Sequence, residues 1–510
     1  MLPVINEVLV FKNNDWDEML DSLYSVLNYD SDFINEDTKE IILSNIDALT
    51  KDDFVSRFLE VKKHRKRGKT KISFQDNIKH QQEVYSNLAT EFVEKEYYSK
   101  DILMALYREN DSFSNPFGST ISQLINKDFD KSVLFIDCSL DVFNELSQFN
   151  PSIFIDFSKN ISEDVLQYLI NSISVNPNLS YLLFPILGVR RTEFDNLDIL
   201  FSFIDKDLSL LKNFRTFFNY HIITPENDVK ITELLKRICS YGEEGLNSTI
   251  SIASSILFFN QNVSQFIVLT EFIKETIKKI SFENNKELIT DDFFQLITHL
   301  LEKLTVVDLA VYINNQVISI SNNTSISLSF NYNFERLYSL MLEKYFDDIW
   351  NDLSKALLSE GDLYWRYYNF KGLLGSHIGS SSNTANILFK QENHEKLLKW
   401  CEENSEIAPE RLASMVPIYQ DKGFHSLVIS LLDNYGNNQN MLDSLSANMG
   451  SFSWSGSTIP LYEQKINALE SLIPHDNKIV KEWAIQKIEW TKKDIEREQQ
   501  REDEEKFLHS

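Results

Sequence analysis

Between Gly245 and Gly361 the chain runs for 115 residues without a single Gly or Pro. Gly supplies the positive φ and Pro the fixed φ from which tight turns are built, so such a stretch has few tight turns. That argues against sandwiches, barrels and propellers, which need turn residues every ~8–12 positions. It argues equally against most nucleotide-binding α/β enzymes, whose glycine loops let backbone approach phosphate. Over all 510 residues there are 13 Gly and 10 Pro, about 4.5% together where ~12% is usual. A long, mostly helical chain is the expectation.

The hydrophobic spacing agrees. In ITDDFFQLITHLLEKL, Phe293, Leu296, Ile297, Leu300, Leu301 and Leu304 fall on one helical face, with Thr290 as N-cap and Asp291 and Asp292 in the first turn. Ser162 caps a second helix whose stripe is Leu166, Leu169, Ile170 and Ile173. Thr224 and Pro225 open a third, with Leu234, Leu235 and Ile238 on one face, and Pro409 and Pro460 take the same first-turn position further on. Helix pairs joined by short polar turns, without a fixed period, predict an all-α fold, an irregular HEAT-like α-solenoid.

Two segments resist this reading. Residues 315–334, NQVISISNNTSISLSFNYNF, alternate β-branched and polar residues and predict a small β-hairpin around Asn322 and Asn323. Residues 131–160 read either as consecutive helices, the favoured alternative, or as strand–helix–strand with Asp137 and Asp156 at the strand ends. Glycines concentrate late, eight of the 13 lying at or after Gly361, so 361–385 reads as a junction. The organisation expected is an N-terminal helical region with a basic loop (1–130), a central helical array (131–360) and a C-terminal HEAT-like module with a charged terminal helix (385–510).

Bulk composition bounds the partners. With 43% hydrophobic and 25% charged residues the chain is globular. A net charge of −26 repels nucleic acid and anionic membrane at long range. Cys138, Cys239 and Cys401 form no pair motif and suit a reducing cytoplasm. No stretch reaches the ~20 apolar residues of a membrane span, and the N-terminus lacks the pattern of a secretory signal. The expected location is cytoplasmic.

No residue pattern establishes a catalytic reaction. The segment VKKHRKRGKTK places Lys62, Lys63, Arg65, Lys66, Arg67, Lys69 and Lys71 together in an otherwise acidic chain. It can grip a polyanion or an acidic partner, or stand as a solvated loop, and it lacks interleaved aromatics to stack bases. Its RGKT lacks the upstream glycines of a phosphate loop. The nine histidines form no metal or catalytic motif. The alternative to a binding protein is a divergent metal-dependent nuclease or nucleotide-processing effector within residues 1–160, with the basic segment and Asp137 and Asp156 as its support.

From about residue 390 the text becomes distinctive. Helices are expected at 392–403, 409–419, 424–434, 438–447, 460–472 and 478–506. Val480, Ala484, Ile488 and Ile495 line the last, Trp483 and Trp490 flank that face, and the helix turns charged and solvated after 495. Asn434-Tyr435-Gly436, Ser446 to Gly450, Ser453-Trp454-Ser455-Gly456-Ser457, Pro460 to Glu463, His475 and Val480 to Ala484 resemble the HEAT-like C-terminal sensor regions of large bacterial antiphage defence proteins, the STAND NTPase group related to the Avs family. The resemblance covers residues about 390–506 only, about a quarter of the chain. Those proteins carry an effector and a nucleotide-binding module upstream, and neither is visible here. The resemblance therefore implies a stand-alone sensor or scaffold with its effector on another polypeptide, or the sensor half of something larger.

These readings converge on a non-enzymatic α-solenoid scaffold or sensor that binds a protein, a phage protein or a separate effector subunit. Trp454, Trp483 and Trp490 are the candidate partner surface. No catalytic residue, cofactor or metal ligand is assigned; nucleic acid is the less favoured partner and no membrane is expected.

Overall fold

The computed structural model describes residues 22–23, 25–27, 33–49, 53–63, 74–109, 116–190, 197–220, 223–259, 263–284, 289–323, 332–375, 383–420, 423–450 and 456–508. Among the described residues the fold is all-α with one small β-hairpin. It divides into two compact units, residues 1–224 with 237–248, and residues 225–236 with 249–510. These limits differ from the expected boundaries near 130 and 385.

The first unit contains α1 (Glu36–Leu49), α2 (Phe54–Lys63), α3 (Phe74–Glu94), α4 (Lys100–Glu109), α5 (Phe117–Ile125), α6 (Phe129–Glu145), α7 (Ser152–Phe157), α8 (Glu163–Ser174), α9 (Leu183–Val189), α10 (Leu197–Ile204) and α11 (Phe214–Tyr220). The unit boundary then falls within α12 (Asp228–Cys239) and α13 (Gly242–Phe259). Helices α3, α5, α7, α9 and α11 stack as one row, and α2, α4, α6 and α8 as a second. This next-but-one stacking is the packing of an α-solenoid. Consecutive helices here replace the strand–helix–strand alternative for 131–160, because Phe135, Ile136, Ser139, Leu140, Val142 and Phe143 recur at helical spacing and are all buried.

Aromatic rings fill the space between the rows. Phe92 meets Phe117 at 5.6 Å and Phe135 at 6.2 Å, and Phe135 meets Phe157 at 4.5 Å between centroids. Close stacking within the first row needs the scarce glycines. A Cβ on Gly118 would collide with the carbonyl oxygen of Ile153, and one on Gly188 would stand 2.6 Å from that of Phe217.

The second unit continues with α14 (Ile267–Ile277), α15 (Asp291–Lys303), α16 (Val307–Ile320), α17 (Tyr332–Leu357), α18 (Tyr364–Leu374), α19 (Asn383–Leu388), α20 (His394–Glu403), α21 (Ala408–Ala413), α22 (Ser426–Tyr435), α23 (Gln439–Gly450), α24 (Ile459–Glu470) and α25 (Lys478–Leu508). Here α15, α17 and α19 stack in a row, α21 packs on α23, and α24 on α25. Two of the expected caps form: Thr290 Oγ1 accepts from Phe293 N, and in the first unit Ser162 Oγ accepts from Val165 N, each at 3.4 Å.

Three sequence expectations change. Residues 315–320 belong to α16 and 332–334 to α17, while 324–331 lie outside the described residues. The helical repeat of Ile313, Val317 and Ile320, all buried, overrides their β-branched alternation. The hairpin lies instead at β1 (Tyr419–Gln420) and β2 (Gly423–Phe424), which takes up the end of the helix expected over 409–419. The segment expected as a junction contains α18, which buries Phe370, Leu373 and Leu374 and packs on α17 and α19.

A chain short of glycine must close its helix C-termini by other means, since the left-handed glycine cap is the usual device for orphan carbonyls. Here side chains from elsewhere in the chain do so. Asn369 Nδ2 donates to Ser321 O at 2.8 Å, and Asn448 Nδ2 to Ala413 O at 3.0 Å and Val416 O at 2.9 Å. Asn393 Nδ2 donates to Ile387 O and Leu388 O, and Lys344 Nζ to Leu301 O and Glu302 O. Scarcity of glycine and stacking of helices are thus linked, because the stack supplies donors that turns would otherwise make unnecessary.

Candidate functional site

Of the basic segment, Lys62 and Lys63 end α2; Arg65, Lys66, Arg67, Lys69 and Lys71 lie outside the described residues, as does Trp454. Trp490 is 49% exposed, with the Lys487 ammonium 4.4 Å from its ring centre. Trp483 is only 6% exposed, and its indole Nε1 donates to Ser446 Oγ at 3.1 Å. It joins α25 to α23 and presents no face, because it sits on the same apolar stripe as Val480 and Ala484.

Asp137 and Asp156 stand on α6 and α7, not at strand ends. Asp137 is exposed and accepts the Tyr168 hydroxyl proton at 2.8 Å. Asp156 is buried beside Lys159, and burial raises its carboxyl above the usual range against the pull of that lysine. Each carboxylate thus has a partner within the fold. Among the described residues no group of three or more His, Cys, Asp or Glu is placed to hold a metal ion.

The residues that stand out lie at the start of α18. A 3-10 turn, Gly361–Leu363, leads into Tyr364-Trp365-Arg366-Tyr367-Tyr368. Helical period sends Tyr367, Asn369 and Phe370 inward and leaves Tyr364, Trp365 and Tyr368 exposed at 45%, 44% and 52%. The Trp365 and Tyr368 rings meet edge to face at 5.2 Å. The helix beneath them is locked. Tyr367 and Ser414 hydroxyls are 2.6 Å apart, the Arg411 guanidinium lies 3.8 Å from the Tyr367 ring centre, and Asn322 Nδ2 donates to Asp362 O at 3.1 Å. Large amphipathic rings on a rigid support are the composition of a protein-binding hot spot. The signal was present in the sequence as four aromatics and an arginine in five consecutive residues. What hid it was the Gly/Ser-rich text just downstream, which drew 361–385 into a junction.

At about 100° per residue, Arg366 lies about 160° round the helix from Tyr364 and Tyr368. It lines a cavity of about 360 Å³ with Glu283, Ser319, Ile320, Asn322 and Asn323. Gln316 Oε1 accepts from Phe282 N at 3.0 Å, which fixes the backbone next to Glu283. Two polar atoms on this lining, Arg366 Nε and Asn322 Oδ1, are buried without a hydrogen-bond partner. Among the described residues no helix is long and apolar enough to cross a membrane. No protein-family model matches the chain, and no curated protein matches it, so the residues themselves carry the functional reading.

Proposed function

We propose that the chain is a non-enzymatic helical scaffold or sensor that binds a protein partner, with Tyr364, Trp365 and Tyr368 as the contact. The observation that carries this reading is three large aromatic side chains, roughly half exposed, on a helix that buries Tyr367, Asn369, Phe370, Leu373 and Leu374 on its other side. Three neighbouring exposed rings make an apolar patch, and burying it against a partner removes about 25 cal/mol of unfavourable hydration per Å². Stacked helices also offer extended surfaces suited to large partners. The resemblance of residues 390–506 supports a phage protein or a separate effector subunit in a bacterial antiphage system as that partner, acting in the cytoplasm.

The test compares the wild-type chain with a Tyr364→Ala, Trp365→Ala, Tyr368→Ala variant in phage-challenged cells. The expected result is loss of protection and of one specific co-purifying protein, with thermal unfolding unchanged. Hydrolysis of nucleic acid or nucleotide by the purified chain with metal present, abolished by a point mutation, would overturn the non-enzymatic reading.

A further inference from the structure

Among the described residues Arg366 is the unusual arginine. The other partly or wholly buried arginines among the described residues face carboxylates: Arg57 pairs with Glu91 at 2.8 Å, Arg190 with Glu163 at 3.4 Å and Arg411 with Glu360 at 3.7 Å. With an excess of 26 negative charges, a partner for one more guanidinium is easily supplied. Yet Arg366 makes no hydrogen bond or ion pair within the chain. Its Nε is buried and unsatisfied, as are those of Arg57 and Arg411, but it alone of these lacks a carboxylate facing its guanidinium. Glu283 lines the same cavity and is likewise in no ion pair. A free cation and a free anion thus share one polar cavity without meeting each other. A buried donor or acceptor left unpaired costs free energy, so the unpaired Arg366 Nε and Asn322 Oδ1 on this lining, beside an exposed and unpaired Glu283, ask for a reason beyond the fold.

We propose that this cavity binds a small zwitterion of the α-amino-acid type, its carboxylate on the Arg366 guanidinium and its ammonium at Glu283. The asparagine and serine side chains of the lining make the remaining wall polar, which suits a short hydrophilic ligand. An anion alone would meet Arg366 but be repelled by Glu283, and a cation alone would face the reverse. One molecule with both charges satisfies both groups. It also carries no net charge, so the strongly acidic chain does not repel it on approach. Arg366 lies about 160° round α18 from Tyr364 and Tyr368, so this ligand is additional to the protein partner.

The test uses the full chain, with each of the twenty common L-amino acids as probe and acetate and methylammonium as single-charge controls, by thermal unfolding and calorimetry. At least one amino acid is expected to bind saturably. Its affinity should fall about tenfold or more in both Arg366→Ala and Glu283→Gln, and its N-acetyl and carboxamide derivatives should not bind. Glu283 is exposed, so its variant folds and decides the matter even if Arg366→Ala does not. No binding by any of the twenty up to about 10 mM, equal binding of acetate, or unchanged affinity in Glu283→Gln would each overturn the proposal.

Discussion

The carboxylate of Asp228 accepts the backbone N–H of Leu269 at 2.9 Å and that of Val268 at 2.8 Å, so a residue 41 positions earlier caps the N-terminus of α14. The residue at the local cap position, Phe266, has no side chain able to do this. Asp228 is 6% exposed, which makes the loss of its bonds costly, since the amides it serves would be left unsatisfied out of water. Asp228→Ala should destabilise the chain by about 1–3 kcal/mol, read as a lowered urea midpoint. Asp228→Asn keeps one acceptor oxygen and should lose less. Equal midpoints for wild type and Asp228→Ala would refute the cap.

Gly118 lets α5 approach α7 at the backbone. Gly118→Ala forces the two helices apart and should cost about 1–3 kcal/mol or more, because the obstacle is a carbonyl oxygen and not a side chain that can swing aside. Gly450 closes α23 with open space around its Cα, so Gly450→Ala should be neutral or stabilising by about 0.4–1 kcal/mol. The opposite signs of these two substitutions in one denaturation series test whether close helix approach is what the early glycines are for.

Local signals were legible in the sequence wherever one helix explains itself. The caps at Thr290 and Ser162 and the buried stripes at 293–301 and 166–173 required no tertiary information. The stacking period was not legible, for a physical reason. The side-chain bonds between elements join residues at irregular separations, such as 24 for Tyr338 and Asn314, 31 for Tyr168 and Asp137 and 48 for Asn369 and Ser321. The repeat is carried by whichever polar side chain reaches a neighbouring helix end, and that leaves no motif. The α16 error has the same source, because Val317 and Ile318 suit a strand locally and only burial against α17 selects the helix. The aromatic site was legible as text. Its exposure was not, since which of Tyr364, Trp365, Tyr367 and Tyr368 faces water depends on how α18 docks.

His425 and His394 are each 8% exposed, with ring centres 5.3 Å apart, and His425 Nδ1 accepts from Leu427 N at the start of α22. Burial, and then the neighbouring His394, hold the His425 imidazole below its usual value of 6.5, and burial does the same at His299. These groups stay neutral in the fold while the unfolded chain takes up protons from about 6.5 downward. Their contribution is therefore complete above 6.5 and is lost as pH falls from there toward the depressed folded values, where it levels off. Urea midpoints should fall between pH 7 and 5. His425→Asn, which keeps an acceptor for Leu427 N but cannot be protonated there, should flatten that slope. Parallel pH profiles for wild type and variant would show that His425 does not couple folding to protons.

On α18 two sets of aromatics should separate stability from binding. Phe370 is fully buried, so Phe370→Ala should cost about 3–5 kcal/mol. Trp365 and Tyr368 are about half exposed on the other face, so Trp365→Ala with Tyr368→Ala should change unfolding by no more than about 0.5–1 kcal/mol, mainly through loss of their edge-to-face contact. If these rings anchor a partner, the same pair should weaken its binding by about tenfold or more, since truncated hot-spot aromatics cost about 2 kcal/mol or more each. Stable protein with lost binding is the outcome that assigns the rings to an interface. A large stability loss from the surface pair would instead show that Trp365 and Tyr368 hold α18 in place, and the contact would have to be sought at Trp490.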